Sequence, residues 1–218
     1  MNIQDNTARP RGRCIIIGAC NPGPVRRVVN LRDDDFILCA DGGYRACVAE
    51  GIRPDLVVGD FDSYSGEIAE GIPVERVAAE KDDTDTMLCL KRGIELHYDE
   101  FIIVGGIGGR LDHTVSNLQT LAYGCERGCF VLLADESNLA TMIGAETVRL
   151  PRVEGYKLSV FAFGGRCEGV CERGVKYPLQ DAVLTPDFPL GVSNEFAGDE
   201  AVITCGSGKL LILLCRCD

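Results

Sequence analysis

Tryptophan is absent from this chain, histidine occurs twice and methionine three times among 218 residues. Long apolar runs are missing too. The longest, Cys14–Ala19 and Leu210–Cys215, fall far short of the roughly 20 residues that span a bilayer. The opening stretch, Met1–Arg13, is polar and interrupted by proline, so no signal peptide is expected. Positive charge is also scarce: 22 basic against 33 acidic residues give a net charge of −11. A negative bulk field repels phosphate backbones, and no local basic stripe offsets it, so nucleic acid is not an expected partner. What remains, 46% hydrophobic and 25% charged, is the balance of a folded globular chain.

Cysteine is the one residue in surplus, with twelve copies. Many sit inside hydrophobic stretches, such as Cys14 before three isoleucines, Cys39 after Ile37-Leu38, and Cys89 between Leu88 and Leu90. There they act as small apolar side chains. No C-x-x-C occurs, and the pairs Cys125/Cys129, Cys167/Cys171 and Cys215/Cys217 lack a zinc-ligand spacing. Free thiols in a reducing cytoplasm are the expectation.

The chain changes character partway along. Up to about Ala134, runs apolar on both faces (Cys14–Ala19, Phe36–Ala40, Asp55–Val58, Phe101–Val104, Phe130–Leu133) alternate with helix-length segments. Those segments are Val25–Leu31, Tyr44–Glu50, Thr84–Leu96 and His113–Arg127, and Thr84–Leu96 would place Met87, Leu90 and Ile94 on one face. Alternation of this kind predicts an open, mostly parallel α/β sheet with right-handed crossovers. After about Asp135 the helical pattern ceases. Short strands over Leu139–Ile143, Thr147–Leu150, Lys157–Phe163, Val170–Val175, Ala201–Cys205 and Lys209–Arg216, separated by glycine turns, predict an antiparallel sandwich or barrel. The expected organisation is an α/β domain over 1–137 and a β-sandwich domain over 138–218.

Ligands of open α/β sheets sit beyond the carboxyl ends of the strands. Acids and glycines gather at those ends: Asp41-Gly42-Gly43, Gly59-Asp60-Phe61-Asp62, Lys81-Asp82-Asp83-Thr84-Asp85 and Gly105 to His113. In an extended segment Asp60 and Asp62 would face the same way, and a hard divalent cation would relieve their repulsion. Asp85, opening the next helix, is placed for a third oxygen ligand. Asp82 and Asp83 also suit capping and turns. The glycine run 105–109 is no dinucleotide fingerprint, because the first turn, Gly18 to Gly23, lacks the required glycines. With Arg110 it can offer backbone N–H groups and a guanidinium to phosphate, or serve as an ordinary loop. His113 and His97 receive no chemistry.

The ordered set of motifs resembles the thiamine pyrophosphokinase (thiamine diphosphokinase) family. It comprises Ala40-Asp41-Gly42-Gly43, Gly51-Ile52-Arg53-Pro54-Asp55, Gly59-Asp60-Phe61-Asp62-Ser63, Lys81 to Asp85, and Gly108 to His113 with Asn117. Gly174-Val175-Lys176-Tyr177-Pro178-Leu179 and Gly191-Val192-Ser193-Asn194-Glu195-Phe196 complete it. The resemblance implies pyrophosphoryl transfer from ATP to the hydroxyl of thiamine, giving thiamine diphosphate and AMP. It also implies a homodimer with active sites between subunits. Magnesium would be held by Asp60, Asp62 and Asp85. Lys81 and Arg110 would neutralise phosphate oxygens, with Asp41, Gly42, Gly105, Gly108, Gly109 and Asp112 around the nucleotide. Asp41 and Asp112 could each position nucleotide or hydroxyl, or act as base through a water.

For thiamine the resemblance points to Ser193, Asn194, Glu195 and Tyr177. Some members set a tryptophan against the vitamin; here Tyr177 or Phe196 would have to supply that surface. From the residues alone, 193–195 reads rather as a solvated hairpin loop. The acid cluster would also suit a magnesium-dependent phosphohydrolase, or a nucleotide-binding regulatory module without catalysis.

Overall fold

The computed structural model describes residues 12–19, 23–61, 66–78 and 82–217. Its first half runs β1 (Cys14–Ile17), α1 (Val25–Val28), β2 (Phe36–Ala40), a 3-10 turn (Asp41–Gly43), α2 (Tyr44–Glu50), β3 (Leu56–Gly59), β4 (Val74–Arg76), α3 (Asp85–Glu95), β5 (Glu100–Val104), α4 (Leu111–Cys125) and β6 (Phe130–Ala134). Strands follow: β7 (Asn138–Ile143), β8 (Thr147–Pro151), β9 (Tyr156–Ala162), β10 (Cys167–Arg173), β11 (Leu179–Leu184), β12 (Gly191–Asn194), β13 (Glu200–Thr204) and β14 (Leu210–Arg216).

Strands apolar on both faces become the covered centre of a sheet. In β1, Cys14 and Ile16 join the apolar cluster under α3 and α4, while Ile15 and Ile17 join the opposite cluster under α1 and α2. Phe101 and Ile103 of β5 divide from Ile102 and Val104 in the same way. Thr84 caps α3, its hydroxyl accepting from the Met87 N–H at 3.3 Å. The buried face of α3 is Thr86, Cys89, Leu90 and Gly93; of the expected stripe, Leu90 is fully buried, Ile94 packs half-buried against the same core, and Met87 is half-buried. The expected helix from Val25 to Leu31 stops at Val28, where β-branched Val29 turns extended.

Parallel strands β6-β5-β1-β2-β3-β4 form one part of a ten-stranded sheet, which β7, β14, β9 and β12 continue antiparallel. The sheet therefore does not stop where the sequence changes pattern. Asp135 makes the reversal, its Oδ1 accepting from the N–H groups of Ser137 (2.7 Å) and Asn138 (2.6 Å) so that β7 returns alongside β6. A second, antiparallel sheet has the order β11-β10-β13-β8. Leu158, Val160, Ile212 and Leu214 of the large sheet share an apolar cluster with Val170, Leu184, Ala201 and Ile203 of the small one.

Three strands escape the sequence pattern. β4 is a polar edge triplet, Val-Glu-Arg. β11 carries register shifts against β10, and β12 one against β9. Each shift breaks the two-residue alternation that marks a strand. Among the described residues every cysteine is free, and no helix is long and apolar enough to cross a membrane.

Candidate active site

The strand order turns back on itself between β1 and β5: the chain steps from β1 out to β2, β3 and β4, then returns to β1's other side as β5. A crevice beyond the carboxyl ends opens at such a reversal. Here the loops after β1 and β5 meet, with the Gly18 N–H donating to Val104 O at 2.7 Å. The packing admits no side chain, since a Cβ on Gly43 would lie 2.2 Å from the Ile17 carbonyl oxygen. Glycine at position 43 is thus a steric requirement of the Asp41-Gly42-Gly43 turn.

Asp60 follows β3 directly and is half-buried. Phe61 takes φ 64°, with the Arg76 guanidinium 4.5 Å above its ring. The backbone after Asp60 is therefore not the extended strand on which a shared facing of Asp60 and Asp62 was expected. Asp62 and Lys81 lie outside the described residues, as does the side chain of Asp41. Asp85 is the first residue of α3, immediately after the Thr84 cap. Asp83 is bound to Lys91 through both oxygens, at 2.8 and 2.6 Å, and Asp82 is exposed. Among the described residues no three acidic, histidine or cysteine side chains gather as a metal site.

The glycine loop after β5 is shaped by backbone that only glycine adopts freely, with φ 79° at Gly105, 88° at Gly108 and 62° at Gly109. Two side chains from α4 hold it. Buried Asn117 donates Nδ2 to Gly106 O at 2.8 Å, and Thr114 Oγ1 accepts from the Gly108 N–H at 3.2 Å. Asn117 is thereby a site-shaping residue, and the i, i+11 distance from Gly106 hides it from any local reading. Arg110 stands at the N-terminal boundary of α4 and is exposed. Its guanidinium grips Asp112, Nε to Oδ1 at 3.1 Å and Nη2 to Oδ2 at 2.6 Å. This bond, with help from the His113 N–H, holds the Asp112 carboxyl below its usual range.

A cleft of about 290 Å³ opens beside this loop, lined by Gly23, Ile107, Gly108 and the stretch Asp135 to Asn138. Asp135 and its neighbours are not among the expected site residues, although an acid at the end of β6 is the same signal that marks Asp60 at the end of β3.

The segment 193–195 is not a hairpin loop. It closes β12, an edge strand whose register shifts between Gly191 and Asn194, and Ser193 sits in that irregularity with φ 58°. Bulges of this kind re-aim side chains beside functional sites. Ser193 is exposed, and its N–H donates to Ser159 Oγ at 3.0 Å. Asn194 is buried. Its Oδ1 accepts from the N–H groups of Tyr177 and Glu195, both at 3.0 Å, while Nδ2 donates to Tyr177 O at 2.8 Å and Glu172 Oε2 at 3.2 Å. A carboxamide has two donors and two acceptor sites, so Asn194 has none left for a ligand. Glu195 bonds Lys157 (2.5 Å) and Lys176 (3.3 Å), which lower its pKa, Lys157 first. Tyr177, next to the Asn194 carboxamide, is 62% exposed.

The structure thus assembles two clusters. In the ten-stranded order β12 lies five strands from β5, on the order of 24 Å at about 4.8 Å per strand.

Residues 30–132 match the family model "Thiamin pyrophosphokinase, catalytic domain", and residues 146–210 match "Thiamin pyrophosphokinase, vitamin B1 binding domain". The thiamine pyrophosphokinase of Bacillus subtilis is 30% identical over 179 residues, covering 79% of this chain and 84% of that protein. The chain belongs to the thiamin pyrophosphokinase family. A thiamine pyrophosphokinase of Oryza sativa is 23% identical over 209 residues, covering 82% of this chain and 78% of its own. Among solved structures, the Bacillus subtilis thiamine pyrophosphokinase superposes with a TM-score of 0.83 at 26% identity, over 94% of this chain and 99% of that one. The yeast enzyme shares the fold, with a TM-score of 0.72 at 14% identity, over 99% of this chain and 89% of its own.

Proposed function

We infer that this chain is a thiamine diphosphokinase, moving a pyrophosphoryl group from ATP to the hydroxyl of thiamine. The observation that carries the reading is the pair of family matches, in order, on the two halves that bear the two clusters. In the reaction the thiamine hydroxyl oxygen bonds to the β-phosphorus of ATP, the bond from that phosphorus to the α,β-bridging oxygen breaks, and AMP leaves. The hydroxyl proton passes to Asp112 or Asp41, directly or through a water. Such a transfer asks for positioning and charge neutralisation rather than covalent participation by the protein.

Magnesium is proposed at Asp60, Asp62 and Asp85. The two described members are half-buried carboxylates at a strand end and a helix start, and their hard oxygens suit that ion. When bound, it would neutralise phosphate charge and ease deprotonation of the hydroxyl. Arg110 and Lys81 would take the non-bridging oxygens, with the Asp112 carboxylate beside Arg110 competing for its charge. Gly42, Gly105, Gly108 and Gly109 would let phosphate approach the backbone. Tyr177, Ser193 and Glu195 would receive thiamine, with Asn194 behind them.

We further propose an α/β domain over 1–137, a β-sandwich over 138–218, and a homodimer. The separation of the two clusters, on the order of 24 Å at about 4.8 Å per strand, is compatible with a site shared between subunits. Exposed Val183, Phe188, Leu190 and Val192, on β11, β12 and the connection between them, give it an apolar surface. The free cysteines favour a cytoplasmic setting. The test is incubation with ATP, magnesium and thiamine while AMP and thiamine diphosphate are followed together. Equal formation of both supports the reading; ATP loss at full rate without thiamine points to a phosphohydrolase instead.

A further inference from the structure

Beneath the 193–195 segment lies a carboxyl group for which the proposed chemistry has no use. Glu172, on β10, is completely buried. Its Oε2 accepts from Asn194 Nδ2, and its Oε1 has no hydrogen-bond partner among the described residues. A buried polar atom left in that state is costly, so its retention asks for a reason. Asn194 supplies one. The Asn194 carboxamide ties the turn at Tyr177 to the irregularity of β12 at Ser193, and it can do so in only one orientation. Turned over, it would set its NH2 against the N–H groups of Tyr177 and Glu195. The backbone groups of Tyr177 and Glu195 select that orientation, and Glu172, from another strand, adds the one acceptor that anchors the carboxamide from outside the turn.

We propose that Glu172 is a positioning residue for thiamine, anchoring Asn194 and through it the placement of Tyr177 relative to Ser193. The inference rests on the reading of Tyr177 and Ser193 as thiamine contacts. Charged groups on the adjoining elements are committed elsewhere. Lys157 of β9 and Lys176 bond Glu195, Glu200 of β13 pairs with Arg149, and Arg173 and Asp181 are exposed. Glu172 therefore has no cation to stabilise its ionised form, and burial pushes its carboxyl up to about 7, the Asn194 bond opposing. Ionisation places a bare charge in an apolar layer, which favours loosening of the turn.

The test is steady-state kinetics on the full chain carrying Glu172→Met or Glu172→Gln. Methionine removes the acceptor. It should raise the thiamine KM roughly tenfold while leaving the ATP KM within about twofold, as expected for loss of one substrate's binding geometry. Glutamine keeps an acceptor but cannot titrate. It should restore a thiamine KM near that of the unaltered chain and abolish the several-fold rise expected as pH passes about 7. Tyr177→Ala separates the two readings. If it raises the thiamine KM and Glu172→Met does not, the role of Glu172 is overturned while the pocket stands. If neither raises it, the pocket reading falls as well. Should Glu172→Met not fold, a pH rise that persists in Glu172→Gln overturns the proposal.

Discussion

The Arg110 guanidinium holds the Asp112 carboxylate across its planar fork, two residues apart at the mouth of α4. Both groups are largely exposed, at 71% and 63% of their side-chain surface, so the pair contributes little to stability. Its consequence is for ligand binding, because a phosphate that reaches Arg110 competes with a carboxylate already in place. Lysine has no fork. Arg110→Lys should lower kcat/KM for ATP by about 1–3 kcal/mol, the range of a charged hydrogen bond, with an unchanged melting temperature. Unaltered kinetics would leave Arg110 as a surface partner of Asp112.

If Asp60 and Asp62 hold magnesium as proposed, Asp60→Asn and Asp62→Asn should each abolish turnover at saturating magnesium without unfolding the chain, since an amide lacks the charge to hold the ion. Near-normal activity in either would remove that residue from the metal site. Asp85→Asn carries a second effect. It takes a negative charge from the first turn of α3, which costs on the order of 0.3–1 kcal/mol, so its melting temperature must be read beside its activity.

Asn194→Ala and Ser193→Ala should separate cleanly. The first strands the N–H groups of Tyr177 and Glu195 together with Glu172 Oε2, a loss of about 2–4 kcal/mol visible as a lower melting temperature. The second keeps the backbone bond to Ser159 and should raise the thiamine KM at nearly normal stability. Equal melting temperatures for the two would contradict the buried network around Asn194.

Stability should carry the mark of Glu172. Its folded pKa lies above its unfolded value near 4.5, so the folded chain keeps a proton that the unfolded chain releases. The contribution is complete below about pH 4.5 and is lost as pH rises to about 7. It amounts to on the order of 3 kcal/mol at about 1.4 kcal/mol per pH unit. Denaturant unfolding of the parent chain minus that of Glu172→Gln should show this slope. Parallel stabilities across that window would mean the carboxyl reaches water.

Much of the α/β half was legible because its strands are apolar on both faces. Cys14–Ile17 and Phe101–Val104 could hardly lie anywhere but the middle of a covered sheet. The acids at strand ends followed from the same logic. Less visible was the join between halves, since Asp135 reverses the chain through its own side chain and leaves β6 and β7 in one sheet. Ser193 and Asn194 were flagged only by family resemblance, and their strand was hidden by a register shift. Glu172 was invisible for a plainer reason. A glutamate in Cys-Glu-Arg-Gly reads as solvated, and only the approach of β12 over β10 shows that it is buried.

A homodimer with shared sites makes its own prediction. Asp60→Asn damages the cluster proposed for nucleotide and Tyr177→Ala the one proposed for thiamine, so mixing the two weak variants under subunit exchange should recover activity at one intact interface site per mixed dimer. Recovery should be absent if both clusters serve one site within a single chain.

The most direct measurement follows the phosphorus atoms themselves. With ATP labelled separately at the α, β and γ positions, the account predicts that β and γ label enter thiamine diphosphate together while α label remains in AMP. Label from the γ position alone in the vitamin product, or β and γ label released as inorganic phosphate with thiamine unchanged, would contradict pyrophosphoryl transfer by this chain.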